Sequence, residues 1–97
     1  MSRSQVERRL MDVHARLKKA REELVVLDEQ LAALSEEADE ARVRALVSET
    51  PGAEREHREA QKHADAMARS RSALVAGIAE LETTQNRLLD QLVPGSA

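Results

Sequence analysis

The sequence predicts an all-α protein, an antiparallel two-helix coiled-coil hairpin. Apolar residues recur at alternating intervals of four and three through two long stretches, which is the a/d pattern of a coiled coil. A single Pro–Gly pair, Pro51-Gly52, interrupts the interior of the chain. The 97 residues include 34% charged residues and only three Gly, a composition typical of long helices. They include no aromatic residue, so the side chains that usually anchor a compact core are missing.

Helix 1 is predicted over residues 4–48. Ser4 and Glu7 have the spacing of an N-terminal capping box. Residues that precede a proline avoid the helical conformation, so the helix should stop near Ser48 or Glu49. Its seam, the line of a and d residues that faces the other helix, is predicted to consist of Val6, Leu10, Val13, Leu17, Ala20, Leu24, Leu27, Leu31, Leu34, Ala38, Ala41 and Ala45.

The turn is predicted over residues 49–52 and helix 2 over residues 51–93. Thr50 can cap helix 2, with a proline at the first helical position, and the Pro–Gly pair at 94–95 should end it. The seam of helix 2 is predicted to consist of Ala53, His57, Ala60, Ala64, Met67, Arg71, Leu74, Ile78, Leu81, Gln85, Leu88 and Leu92.

Folding the chain at the turn pairs the two seams in one register. Facing seam residues have numbers that add to 101 or 102: Leu34 with Met67, Leu27 with Leu74, Leu24 with Ile78, and Leu10 with Leu92. The same register brings together three charged pairs: Arg21 with Glu82, Glu37 with His63, and Arg44 with Glu56. Leucines dominate the seam far from the turn and alanines dominate it near the turn. Because alanine layers bury less apolar area, we expect the turn end to open first.

Three seam positions of helix 2 are polar: His57, Arg71 and Gln85. Polar residues at such positions commonly set the register and orientation of coiled coils. The guanidinium of Arg71 should extend out of the seam toward Asp28. A second interpretation makes Arg71 a ligand contact, together with its neighbour Arg69.

One side of the hairpin carries more exposed apolar side chains than a solvated helix face needs. We call this set the apolar flank: Met11, Val25, Val26, Ala32, Ala68, Val75, Ala79, Leu89 and Val93. A small hairpin without a three-dimensional core commonly requires oligomerisation. We therefore expect a homodimer in which two hairpins pack into a four-helix assembly. The alternative is that the flank receives a helix of another protein.

Charge is distributed unevenly along helix 1. From Arg3 to Arg21 there are seven basic residues and two acidic ones, whereas residues 22–40 contain eight acidic residues and no basic one. Such blocks are usually solvated helix faces. They can also steer a partner toward one end of the helix.

The sequence offers no arrangement for catalysis, so we expect a protein that is not an enzyme and has no cofactor. It has no Cys, and its three His are scattered. Glu37, Glu59 and His63 form an arguable metal cluster, but an ordinary ion pair is the simpler interpretation, and no metal is expected.

The chain is also expected to have no membrane partner. Its N-terminus lacks the apolar stretch of a signal peptide, and no apolar run is long enough to cross a bilayer, so a cytoplasmic location is expected. Nucleic acid is not expected as a partner, because the basic segment is short and lacks aromatic stacking residues.

The bias toward Ala, Arg, Glu, Leu and Val is typical of a high-GC bacterium such as an actinobacterium. In helix 2, Glu80, Thr84, Arg87 and Gln91 have the first four spacings of the motif E-x3-S-x2-R-x3-Q-x3-D, with Thr for Ser. This pattern resembles RsiG, an actinobacterial anti-sigma hairpin that binds cyclic di-GMP through such motifs and sequesters a sporulation sigma factor. The final Asp is replaced by Gly95, and helix 1 has no second copy. The resemblance implies an anti-sigma-like regulator with nucleotide contacts at the matching residues.

Glu49 and Glu54 flank the turn. This arrangement is similar to the coiled-coil domain of Gre-type transcript-cleavage factors, which carries acidic residues at its tip into the secondary channel of RNA polymerase. The 97 residues include no counterpart of the globular C-terminal domain of that family. This second resemblance implies a partner in the transcription machinery.

Three functional hypotheses follow. The leading one is a bacterial adaptor or regulator that self-associates and binds a helix of another protein. The transcription machinery is one source from which that helix could come. The second is a cyclic-dinucleotide-binding regulator with ligand contacts drawn from Arg69, Arg71, Glu80, Thr84, Arg87 and Gln91. The third is a structural subunit of a larger assembly.

Overall fold

The protein is an all-α helical hairpin, as the sequence predicts. The computed structural model describes residues 1–93, which form two long helices, α1 (Arg3–Ser48) and α2 (Pro51–Leu92). The predicted stop of the second helix at Pro94 and Gly95 lies outside the described residues.

α1 begins earlier than predicted, because its capping box is formed by Ser2 and Gln5. The Ser2 hydroxyl accepts a hydrogen bond from the Gln5 amide (3.3 Å), and the Gln5 side chain accepts one from the Ser2 amide (2.9 Å). The predicted box of Ser4 and Glu7 is therefore wrong. Both serines have a suitable acceptor three residues later, but the box forms at Ser2, whose carbonyl accepts a helical hydrogen bond from the Val6 amide at 3.1 Å.

The turn consists of Glu49 and Thr50. Glu49 ends α1 in the left-handed conformation (φ 51°), and its amide bonds to the Ala45 carbonyl at 3.0 Å. The Thr50 hydroxyl accepts a hydrogen bond from the Ala53 amide at 3.2 Å, which is the predicted cap of α2. Two residues suffice for the reversal because the left-handed residue redirects the chain and the threonine satisfies a free amide of the next helix.

The predicted seams are the shielded faces of both helices. Every seam residue of α1 and α2 is buried or half-buried. Outside the seams, only Gly77 and Thr84 are shielded among residues 1–93. The period of the apolar pattern therefore identified the faces that pack together.

Contacts between Cα atoms divide the chain into two compact units. The first, here called the base unit, joins Met1–Leu24 to the chain from Leu74 onward; the second, the turn unit, is Val25–Ala73. The core of the base unit consists of branched apolar side chains: Val6, Val13, Leu17, Ile78 and Leu88, flanked by Leu10, Ala20, Leu24, Leu74, Leu81 and Leu92. In the turn unit the buried apolar residues are small: Ala38, Ala41 and Ala64. The expected contrast between a leucine seam and an alanine seam is therefore present, while early opening of the turn end stays a prediction.

One of the three predicted charged pairs of the register forms an ion pair. Arg21 Nη2 lies 4.0 Å from Glu82 Oε2 in the base unit. The other two, Glu37 with His63 and Arg44 with Glu56, form no ion pair in the part of the chain described; all four residues line one shallow depression of the turn unit. Exposed side chains gain little from pairing and retain their freedom in solvent.

Candidate functional site

In the base unit, the members of the apolar flank are exposed. Met11 is 73% exposed, and Val93, which follows the last residue of α2, is 54% exposed. Val75 and Leu89 are about two-fifths exposed, and Ala79 is also exposed. Because the core of this unit is complete without them, these side chains remain available to another molecule.

In the turn unit, the flank residues are exposed as well. Val25 is 59% and Val26 is 51% exposed, and Ala32 and Ala68 are both on the surface. Two adjacent valines on a helix surface contribute apolar area without strengthening the seam. Their exposure is the property that the sequence analysis assigned to them.

α1 also carries a second apolar patch, which was not predicted from the sequence. Val43, Leu46 and Val47 are all at least half exposed, and Val47 is 80% exposed. Their spacing of i, i+3 and i+4 places them on one helix face next to the turn. That spacing is visible in the sequence, but these three residues lie outside the seam, which passes through Ala41 and Ala45.

Arg71 is held by Asp28 within the turn unit, so the prediction of an outward-turned guanidinium is confirmed. The Nε of Arg71 donates a hydrogen bond to Oδ1 of Asp28, and the two side chains are 41% and 48% exposed. The pair joins α1 to α2 across 43 positions of sequence. This contact supports the structural interpretation of Arg71 over the ligand-contact interpretation.

Three residues of the nucleotide-motif resemblance lie together in the base unit. Glu80, Thr84 and Arg87 line a shallow depression of about 420 Å³. Ala79 and Thr83 complete its lining. The Thr84 hydroxyl donates to the Glu80 carbonyl at 3.0 Å. The depression therefore offers one guanidinium and the hydroxyl oxygens of two threonines to a ligand, beside one carboxylate.

The other candidate ligand contacts are not part of this depression. Gln91, Arg69 and Arg71 are absent from its lining. Arg69 is exposed and forms no ion pair with any residue from 1 to 93. The position of the final motif residue, Gly95, lies outside the described residues.

The carboxylate and histidine cluster near the turn lies in a second depression. Glu37, Glu59 and His63 line it together with Glu56 and Arg44. Within residues 1–93, no group of three potential ligands is arranged to hold a metal ion. Neither α1 nor α2 has a segment sufficiently long and apolar to cross a bilayer.

The candidate binding surfaces of the described residues are therefore the apolar flank, the patch near the turn and the depression around Arg87.

Comparisons with protein-family models, with characterised proteins and with solved structures find no match to this chain.

Proposed function

We propose that this protein is a non-enzymatic coiled-coil interaction module that self-associates through the apolar flank. The observation that carries the proposal is the exposure of large apolar side chains on a hairpin whose seams are already filled. Met11 and Val25 are more than half exposed, although neither is needed for the packing of α1 on α2. Covering such side chains contributes about 25 cal/mol for each Å² of apolar area removed from water.

In the cell, the same flank binds a helix of another protein, which makes the module an adaptor or regulator in the bacterial cytoplasm. An amphipathic helix recognises a groove through apolar residues at helical spacing. The exposed residues Val75 and Ala79 are four residues apart, as are Leu89 and Val93. The transcription machinery is the proposed source of that helix, on the basis of the resemblance to RsiG-type and Gre-type hairpins.

Self-association is tested by substituting Val25 with Glu. We expect the unmodified protein to sediment as a dimer at micromolar concentration and Val25→Glu to shift it toward monomer by at least about tenfold in Kd, because a carboxylate would be desolvated at the contact. The matched control is Gln30→Glu, which adds the same charge at an exposed position outside the flank. Analytical ultracentrifugation over a concentration series measures both. A wild-type protein that remains monomeric at high concentration contradicts the proposal.

A second candidate function is binding of a cyclic dinucleotide. The specific observation in its favour is that Glu80, Thr84 and Arg87, three residues of the matching motif, line one depression. Arg87 forms no ion pair in the part of the chain described, so its guanidinium is available to a phosphate or a guanine edge.

Isothermal titration calorimetry with cyclic di-GMP tests this second function. We expect Arg87→Ala to weaken binding by about tenfold or more, because a charge-assisted hydrogen bond is lost. Arg69→Ala is the control, since Arg69 is exposed and lies outside the depression. Absence of heat with the unmodified protein at high micromolar concentration eliminates this function.

A further inference from the structure

α1 carries a second row of exposed residues on the side away from its seam. The row repeats at alternating intervals of three and four, like the seam itself, and consists of Arg8, Met11, Ala15, Lys18, Glu22, Val25, Glu29, Ala32, Glu36 and Asp39. Its apolar members, Met11, Ala15, Val25 and Ala32, are all exposed. A helix with two such rows has the pattern of one that packs against two neighbours.

The net charge of this row changes sign along the helix, since Glu22 is the one acidic residue of its first half and every charged residue of its second half, including Glu36, is acidic. Arg8 and Lys18 lie in its first half, and Glu29 and Asp39 lie in its second half. All four are exposed, and none takes part in an ion pair among residues 1–93. By contrast, Arg3, Arg16 and Arg21, which lie off this row, each pair with a carboxylate of the same chain. The row thus keeps opposite charges free at its two ends.

We infer that this row binds the same row of a second copy, with the two α1 helices antiparallel about a twofold axis between residues 23 and 24. Facing residues then have numbers that add to 47. Arg8 faces Asp39 of the second copy, Lys18 faces Glu29 and Ala15 faces Ala32, and the symmetry repeats each contact. The remaining layers place Glu22 beside Val25 and Glu36 beside Met11, where a long side chain can extend into solvent.

The charges of α1 determine whether the two α1 helices pack parallel or antiparallel. A parallel arrangement in register would place the basic first half of α1 against itself and the acidic second half against itself, which is repulsive. Each exposed ion pair contributes little affinity, so the attraction comes from the layers of Ala15 with Ala32 and from Met11 and Val25 against the methylene groups of the facing glutamates. The charges select the orientation. A second copy of the chain fits this row, because each copy of α1 carries both the basic half and the acidic half that attract each other.

This inference rests on the proposed self-association and narrows it. The part of the apolar flank that lies on α1, including Met11, Val25 and Ala32, contacts the second copy. The part on α2, including Val75 and Leu89, is left for the helix of another protein. Val25→Glu should therefore weaken the dimer, whereas Val75→Glu should leave it intact.

Charge reversal tests the pairing of Lys18 with Glu29. We expect Lys18→Glu to raise the Kd of the dimer about tenfold at low salt, because two attractive pairs become repulsive. The double variant Lys18→Glu/Glu29→Lys should recover most of the loss. Lys19→Glu, with the same charge change one residue away, serves as the control. A double variant that dimerises no better than Lys18→Glu overturns the pairing.

Disulfide trapping tests the register directly, since the chain has no cysteine of its own. We expect a mixture of Lys18→Cys and Glu29→Cys chains, oxidised with glutathione, to form a covalent dimer, because a disulfide requires Cα atoms within about 7 Å. Each variant alone should not cross-link. A mixture of Lys18→Cys with Glu36→Cys is the control, since the seven extra residues add about 10 Å along the helix.

The outcomes separate this inference from the proposed function. A mixed cross-link between positions 18 and 29, identified by mass spectrometry of the linked peptides, supports the antiparallel contact. A sedimenting dimer without that cross-link, or with cross-links between two copies of position 18, overturns the contact and leaves self-association standing. A monomer at all concentrations overturns both.

Discussion

Leu17→Ala is expected to destabilise the protein by about 3 kcal/mol, the range for removing a fully buried leucine and leaving a cavity. Leu17 is the only large side chain among residues 1–93 that is completely shielded from solvent, and it lies in the core of the base unit. For a chain of this size the loss is a large fraction of the total stability and lowers Tm by roughly 12–24 °C. Thermal unfolding followed by circular dichroism at fixed protein concentration measures it.

Leu46→Ala is the matched control for this prediction. The same atoms are removed from the same helix, but Leu46 is 66% exposed, so the expected change is within about 0.5 kcal/mol. Equal losses for the two variants would contradict the placement of the core in the predicted seam.

Arg71→Glu is expected to destabilise the protein by about 2 kcal/mol, between the values of exposed and of buried ion pairs. The substitution replaces the contact with Asp28 by repulsion at a half-exposed seam position. The double variant Asp28→Arg/Arg71→Glu restores the pair with reversed charges and should regain about half of the loss. Urea unfolding of the two variants and of the unmodified protein gives the comparison.

Two further variants distinguish the effect of charge repulsion on stability from the effect of losing the ion pair between Arg71 and Asp28. Arg71→Leu should retain stability, because a leucine fits a seam position and Asp28 stays partly in solvent. Arg69→Glu reverses a charge at the neighbouring exposed position and should change stability by less than about 0.5 kcal/mol. If Arg71→Glu is as stable as Arg69→Glu, the contact between α1 and α2 at Asp28 does not contribute.

The seam was predictable from the sequence because its period is set by helix geometry alone. A residue every three or four positions must lie on one face, and the chain has one strong interior breaker. The same reasoning placed Arg71 opposite Leu31, about one helical turn from Asp28, since a constant sum of residue numbers follows from antiparallel pairing. The apolar flank was predictable as well, because apolar residues outside the seam have no partner in a two-helix fold.

The start of α1 and the charged pairs near the turn were not predictable in this way. Ser2 and Ser4 both have a side-chain acceptor three residues later, so the capping pattern alone does not distinguish them. Register puts Arg44 beside Glu56, but the rotamers of exposed side chains depend on a balance between solvation and a weak attraction. Rules based on the local sequence do not resolve free-energy differences that small.

The sequence by itself determined the helical hairpin, the residues of its seam and the turn at Thr50 and Pro51, because these depend on periodicity and on the backbone limits of proline. Only the tertiary structure decided which charges are paired within the chain and which remain free. It also left Val47 exposed. The physical reason is that pairing and exposure depend on how neighbouring helices share space, whereas helix formation and its apolar period are local.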